Sequence, residues 1–362
     1  MTEQTIVIDI GSGFLKAGWS GYNQPQMIQP SIVSFTANYE GPCSSKDRPR
    51  MHFGINEQNP DAISHPIHQG RINNWEAMEF LWSFILEKLT WNVAETRVLL
   101  AESTLRTAQE RKKTLEIMFE RLGVHSILLA DELQLSLFGQ GLLCGAVMDC
   151  GFGLTRVQCF SRGKPLVKTK QVMKWGDQNI STYLLEDLFT EMDRESQAAK
   201  LRKVSIIQMQ ACHVPEEFKS VEDMGPDSET GSNFQLPDGN FVTLGHNHRT
   251  APEMFFNPHI FNLSGPSLPQ AVLNSIKSCP MNLQPNLVSN LLVCGGASLY
   301  RGFTQRLNAM LVQEHFSKMY SKVALRANST RNFSVWLGGS VLAHLSSYKH
   351  RWIKKVEYKE RL

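Results

Sequence analysis

Ile6-Val7-Ile8-Asp9-Ile10-Gly11-Ser12-Gly13-Phe14-Leu15-Lys16-Ala17-Gly18-Trp19 is the stretch that decides the fold. A run of apolar β-formers ends in a carboxylate, a glycine-rich turn follows, and a second β-forming run leaves it, which predicts a β-hairpin. The pattern returns as Ala146-Val147-Met148-Asp149, then Gly151-Phe152-Gly153, then Leu154-Thr155-Arg156-Val157. The two aspartates lie 149 − 9 = 140 residues apart. One glycine turn does no more than close a hairpin. Two of them at domain-sized spacing predict duplicated domains.

Between the hairpins the chain alternates helical and β patterns. Trp75, Met78, Trp82, Ile85, Leu86 and Leu89 recur at helical spacing, and so do Leu115, Met118, Phe119 and Leu122, with Gly123 placed to stop that helix. Arg97 to Ala101 and Ser126 to Ala130 read as strands on either side of the second helix, so a βαβ unit and an α/β class are expected. Beyond the second hairpin, Pro237-Asp238-Gly239 reads as the tip of another hairpin. Leu291-Leu292-Val293-Cys294 runs into Gly295-Gly296, and a helical stripe follows at Leu299, Phe303, Leu307, Met310 and Leu311. Residues 36–50 and 216–232 are polar and read as exposed loops.

Composition narrows the function classes. The 362 residues carry 37 Lys and Arg against 34 Asp and Glu, a net charge of +3 that does not favour an electrostatic nucleic-acid binder. Seven scattered cysteines with no C-x-x-C pair fit a reducing compartment better than a disulfide framework. The start carries no basic segment ahead of an apolar one, and no stretch resembles a membrane span of roughly 20 residues. His65 with His68, and His246 with His248, lack the further ligands a metal site needs.

The glycine turns suggest a chemistry. Tight turns let backbone N–H groups converge on phosphate oxygens, Ser12 adds a hydroxyl, and Lys16 adds a positive charge. Asp9 and Asp149, at the ends of their strands, suit the waters of a Mg²⁺ ion. Gly295 and Gly296 permit close approach of backbone to a base or ribose. The composite expectation is a Mg-nucleotide held between two domains. Neither G-x-x-x-x-G-K-[ST] nor a G-x-G-x-x-G after a strand is present.

These residues resemble the actin family along essentially the whole chain and in its order. Asp9-x-Gly11-Ser12-Gly13 with Lys16-Ala17-Gly18 is similar to the family's first phosphate loop, Asp149-x-Gly151-x-Gly153 to the second, and Gly295-Gly296 to the adenosine loop. His65-Pro66-Ile67, Asn74-Trp75-Glu76, Leu236-Pro237-Asp238-Gly239, Pro252-Glu253 and Ser334-Val335-Trp336-Leu337-Gly338-Gly339-Ser340 also match. The phrasing at residues 13–18, 128–131 and 331–336 resembles a divergent branch of the family associated with male germ cells.

The resemblance implies an α/β, actin-like fold of the actin, hexokinase and Hsp70 type: two similar domains around a central nucleotide cleft. The smaller domain would comprise residues 1–139 and 334–362, with 35–64 as its upper subdomain. The larger would comprise residues 140–333, with about 177–260 as its upper subdomain. ATP or ADP would meet Asp9, Gly11, Ser12, Gly13, Lys16, Asp149, Gly151, Gly153, Gly295 and Gly296, with Asp9 and Asp149 reaching the metal through water. It also implies cytoskeletal or actin-binding partners, and a cytoplasmic, cytoskeletal location with the nucleus as an alternative.

Departures from the family pattern qualify this. Glu132 stands at the family's water-orienting glutamine. Two like charges about 5 Å apart at an effective dielectric near 20 repel by roughly 3 kcal/mol, so an anion there opposes a bound triphosphate. Phe152 replaces the acidic residue between the second loop's glycines, and Arg156 replaces its following histidine, free by type to neutralise phosphate or to pair with Glu132. Gln208 and Met209 replace a lysine and a glutamate around the nucleoside, and Asn332 a lysine near the adenine. A glycine at the nucleotide edge aligns near Asp177, within one residue. The expectation is weakened or lost ATP binding and no meaningful hydrolysis, hence a structural protein acting through protein contacts rather than an enzyme; a slow ATP-hydrolysing, filament-associated protein and a subunit of a nuclear remodelling complex are the alternatives.

The stretch at residues 38–50, where the family carries an apolar inserting loop, is polar and holds Pro42 and Pro49. Asn262-Leu263-Ser264-Gly265-Pro266, at the family's hydrophobic plug, is less apolar. Lost apolar contact removes much of the association energy. The purified chain is therefore expected to show no regular filaments by negative-stain microscopy; ordered filaments would contradict this.

Overall fold

The computed structural model describes residues 5–35, 51–55, 63–189, 195–218, 232–313 and 315–360. The expected loops at 36–50 and across most of 216–232 lie outside the described residues. The chain divides into two compact units, Met1–Cys144 with Arg162–Pro165 and Thr330–Leu362, and Gly145–Ser161 with Leu166–Ser329.

The first unit is built on a six-stranded sheet. Strand β1 (Thr5–Ile10) is buried at all six positions, as a central strand covered on both faces must be. It pairs antiparallel with β2 (Phe14–Trp19) through the glycine turn, which is the expected hairpin. The chain then runs through helix α1 (Trp75–Leu89), whose first turn is capped by Asn74 accepting from the Ala77 amide at 3.0 Å. Met78, Trp82, Ile85 and Leu86 of its apolar stripe are buried, joined by Ala77 and Leu81.

Strand β3 (Arg97–Glu102) lies parallel to β1. Helix α2 (Ala108–Glu116) opens with a Thr107/Glu110 capping box and continues into a π-turn that buries Ile117, Met118 and Phe119. It ends at Gly123, whose φ is +76°. Strand β4 (Ser126–Asp131) returns parallel to β3, completing the βαβ unit read from the sequence. Helix α3 (Glu132–Gly139) follows without a loop, N-capped by Asp131.

The second unit repeats the opening topology. Strand β5 (Gly145–Cys150), again buried at all six positions, pairs antiparallel with β6 (Thr155–Ser161) and parallel with β7 (Leu291–Cys294). Helix α4 (Asp177–Leu188) and helix α5 (Gln197–Gln210) lie between them in sequence. Phe255 and Phe303 meet edge to face, ring centroids 5.4 Å apart, anchoring helix α6 (Phe303–Asn308). The hairpin at Pro237-Asp238-Gly239 forms between Ser232–Gln235 and Phe241–Leu244.

Helix α7 (Ser334–His344) returns to the first unit. Trp336 is fully buried, and its indole N–H donates to the Val7 carbonyl at 3.2 Å. Gly338 lets α7 cross α3 at backbone contact, because a Cβ there would sit 1.7 Å from the Leu135 carbonyl oxygen. These elements and their pairings make the α/β fold expected from the sequence. Among the described residues, six cysteines form no disulfide, and no helix is long and apolar enough to cross a membrane.

Gly338→Ala is expected to lower the unfolding free energy by about 3 kcal/mol or more, since the overlap is with backbone that has no rotamer to escape into. Urea denaturation measures it; a loss under about 0.5 kcal/mol would show that the two helices can separate freely.

Candidate functional site

The two glycine turns are the same construction built twice. In the first, the Gly11 amide donates to the Phe14 carbonyl at 3.0 Å; in the second, the Gly151 amide donates to the Leu154 carbonyl at 2.9 Å. On the second rung back from each turn, an aspartate one residue short of the strand end faces a cation: Asp9 opposite Lys16, and Asp149 opposite Arg156. Lys16 Nζ lies 3.3 Å from Asp9 Oδ2. Arg156 Nη2 lies 2.5 Å from Asp149 Oδ2, with both side chains about nine-tenths buried. Arg156 thus pairs with Asp149, a partner other than the phosphate or Glu132 expected from its type. The signal was available in the spacing, because 156 − 149 and 16 − 9 are both seven.

In the first unit, burial holds the His65 imidazole towards its neutral form, while a hydrogen bond to the backbone of Ser12 opposes this more weakly. Glu132 is the first residue of α3 and is buried. The buried guanidinium of Arg106, just beyond β3, feels the carboxylates of Glu132, Glu102 and Glu110, with Glu132 the strongest of the three. Glu102 in turn holds Arg111 at 2.6 Å. Arg106 is thus a counter-charge to Glu132 that sequence reasoning missed, because nothing in the local pattern ties residue 106 to residue 132.

In the second unit, two segments converge on the second turn. The first amides of α4 donate into it, Asp177 N to the Gly151 carbonyl at 3.1 Å and Gln178 N to the Phe152 carbonyl at 2.8 Å. The residue that permits this approach is Gly176, so the nucleotide-edge glycine sits one residue before Asp177 and is retained. Gly295, at φ +91°, is the other: a Cβ there would lie 2.2 Å from the Cys150 carbonyl oxygen. Its close approach is to the chain's own backbone, a different physical reason from the base or ribose contact suggested by sequence. Gly296 has open space where a Cβ would stand.

Gln208, one of the expected nucleoside-side replacements, sits in a polar network with Asp177, Ser181 and Tyr300. Tyr300 O–H donates to Asp177 Oδ1. The Gln208 amide donates to Tyr300 Oη and to the Asp177 carbonyl, each at 3.3 Å, and its oxygen accepts from Ser181 Oγ at 3.0 Å. Burial pushes the Asp177 carboxyl up to about 6, partly offset by the Tyr300 hydrogen bond. Burial likewise raises Tyr300 well above its ordinary range, with Asp177 adding to it, and lifts Cys212 to about 12. Met209, beside Gln208, points outward and is largely exposed.

The donor set decides what each turn can hold. The first offers Lys16 and a glycine nest, which fit a phosphate. The second does not fit a hydrated divalent cation. Its carboxylate is already ion-paired, Phe152 supplies no lone pair, and a dication about 5 Å from a guanidinium is repelled by roughly 7 kcal/mol at an effective dielectric near 20. Among the described residues no cluster of three or more His, Cys, Asp or Glu could hold a metal ion.

Asp177 titrates in an accessible range. Its folded pKa of about 6 lies above the ordinary 3.8, so the folded state holds the proton more tightly than the unfolded chain does. Stability from this group is full below pH 3.8 and is lost as pH rises through about 6. Urea denaturation across that window is expected to show roughly 3 kcal/mol of wild-type loss that Asp177→Asn removes. Parallel pH profiles for the two proteins would contradict it.

Comparison with known proteins places these geometries in a lineage. The family model described as Actin matches residues 1–361. Human actin-like protein 8 is 44% identical over 366 residues, covering all of both chains. Rat actin-like protein 9 is 31% identical, covering 98% of this chain and 86% of its own. Budding-yeast centractin (Saccharomyces cerevisiae) is 28% identical, covering 99% of this chain and 94% of its own. With duplicated hairpins, shared turn geometry and a match running nearly end to end, the chain belongs to the actin family.

Proposed function

We propose that this protein is a structural, actin-related module that works through protein–protein contacts with cytoskeletal or actin-binding partners. In this reading it is not an ATP-hydrolysing enzyme, and its ATP site is degenerate. One observation carries the reading: the polar groups on the nucleoside side, Asp177, Gln208, Ser181 and Tyr300, bond to one another. A nucleoside entering there must break a buried, satisfied network, and each polar group left without a partner costs about 1–3 kcal/mol. Asp177 adds a carboxylate where a ligand would bring electron-rich atoms.

Glu132 supports the same conclusion. A glutamine can orient water by donating and accepting at once, whereas an ionised carboxylate only accepts. The nearby buried guanidinium of Arg106 gives it a counter-charge within the protein. A cytoplasmic, cytoskeletal location belongs to the same proposal.

Native mass spectrometry of the protein purified from its source is expected to show no stoichiometric adenine nucleotide. Calorimetry with Mg-ATP is expected to give a Kd weaker than about 100 μM, that is, less than about 5.5 kcal/mol of binding. Stoichiometric nucleotide with steady phosphate release would overturn the proposal.

A further inference from the structure

The C-terminal end of the first unit carries basic side chains that the fold leaves without counter-charges. Lys349, His350 and Arg351 are the exposed end of a 3₁₀ turn, Ser346–Arg351. Lys354 follows in a short strand, Ile353–Lys354, and Lys355 opens the helix Lys355–Glu360. The short strand pairs antiparallel with β4, which pairs parallel with β3, so Arg97, Ser126 and Lys354 stand in one row across three strands. Side chains in such a row share a face of the sheet. Trp352 lies on that face too, with the Arg97 guanidinium 3.9 Å from its ring centroid. Among the described residues, none of Lys349, Arg351, Lys354 and Lys355 forms an ion pair. Glu95 and Glu357 flank the surface in sequence, and neither pairs with these cations.

Residues 349–355 hold four of the 37 Lys and Arg and no acid, which leaves 37 − 4 = 33 against 34 Asp and Glu in the rest of the chain. The net charge of +3 thus resides at this one place. Building on the protein-contact reading above, we propose that this surface docks an acidic protein segment, a run of aspartate and glutamate side chains in a partner laid across Lys349, Arg351 and the Arg97–Lys354 row. Exposed single pairs contribute little, so the contact depends on several charges acting together and is screened by salt. Nucleic acid is a poorer match. Single-stranded bases need open aromatic rings to stack on, whereas Trp352 is buried under Arg97 and Tyr348 carries the Arg351 guanidinium 4.9 Å from its ring centroid. A membrane is a poorer match as well, because the cations come from a turn, a two-residue strand and a six-residue helix rather than from one long amphipathic helix.

The test uses the full chain and a fluorescein-labelled peptide of glutamate and aspartate, read by fluorescence anisotropy without nucleotide. Saturable binding is expected at about 50 mM salt and should weaken about tenfold or more at about 300 mM. The combined reversal Lys349→Glu, Arg351→Glu and Lys354→Glu is expected to abolish saturation. The neutral set Lys349→Gln, Arg351→Gln and Lys354→Gln should weaken binding about tenfold, and it decides if circular dichroism shows the reversed protein unfolded. Lys168→Glu with Lys322→Glu, two exposed lysines of the second unit, should change binding less than about twofold. No saturable binding, an equal loss in that control pair, or undiminished binding in the neutral set would overturn the proposal. So would tighter binding of single-stranded oligothymidine or of phosphatidylserine vesicles than of the peptide. Failure here strikes the docking surface alone, whereas tight Mg-ATP binding in calorimetry strikes the reading of a degenerate site and leaves the peptide result standing.

Discussion

Asp149 and Arg156 face each other across a single rung of an antiparallel hairpin, and much of this molecule's chemistry follows from that contact. A strand-ending carboxylate beside a glycine turn is the natural anchor for hydrated metal. Here it is neutralised by the chain itself, at hydrogen-bond distance and out of solvent. An ion pair so placed is not worth much as stability, because desolvation opposes the Coulomb gain. Its consequence is specificity: the carboxylate is already engaged before any ion arrives.

The same logic recurs in both units. Arg106 sets a positive charge against Glu132, and Tyr300 donates to Asp177. In each case a buried carboxylate has a counter-group inside the protein, a nearby guanidinium for Glu132 and a donated hydroxyl for Asp177. Such pairing explains how polar and charged groups can be substituted at a ligand site without unfolding the chain. A buried charge left alone would cost several kcal/mol, and a paired one far less.

The architecture was largely legible in the sequence. Periodicity gave α1 its stripe, and the repeated Asp-x-Gly-x-Gly exposed two equivalent hairpins. These are local signals, and local geometry answers to them. The site was legible only as a set of types. Arg106 and Glu132, or Gln208 and Tyr300, are brought together by the fold across 26 and 92 residues, and no spacing rule announces such pairs. Gly295 is only half legible for a related reason. A glycine signals close backbone approach, but what approaches, here Cys150, is a tertiary fact. The Arg156 pairing could have been found by aligning the two internal repeats with each other.

The account stands or falls on whether these internal pairs persist when ligand is abundant. A crystal structure of the protein grown in millimolar ATP and magnesium is the direct measurement. The Asp149–Arg156 and Asp177–Tyr300 contacts are predicted to remain intact, with no ordered adenosine beside Gln208 and no metal at Asp149. Ordered Mg-ATP with both contacts opened to receive it would contradict the account.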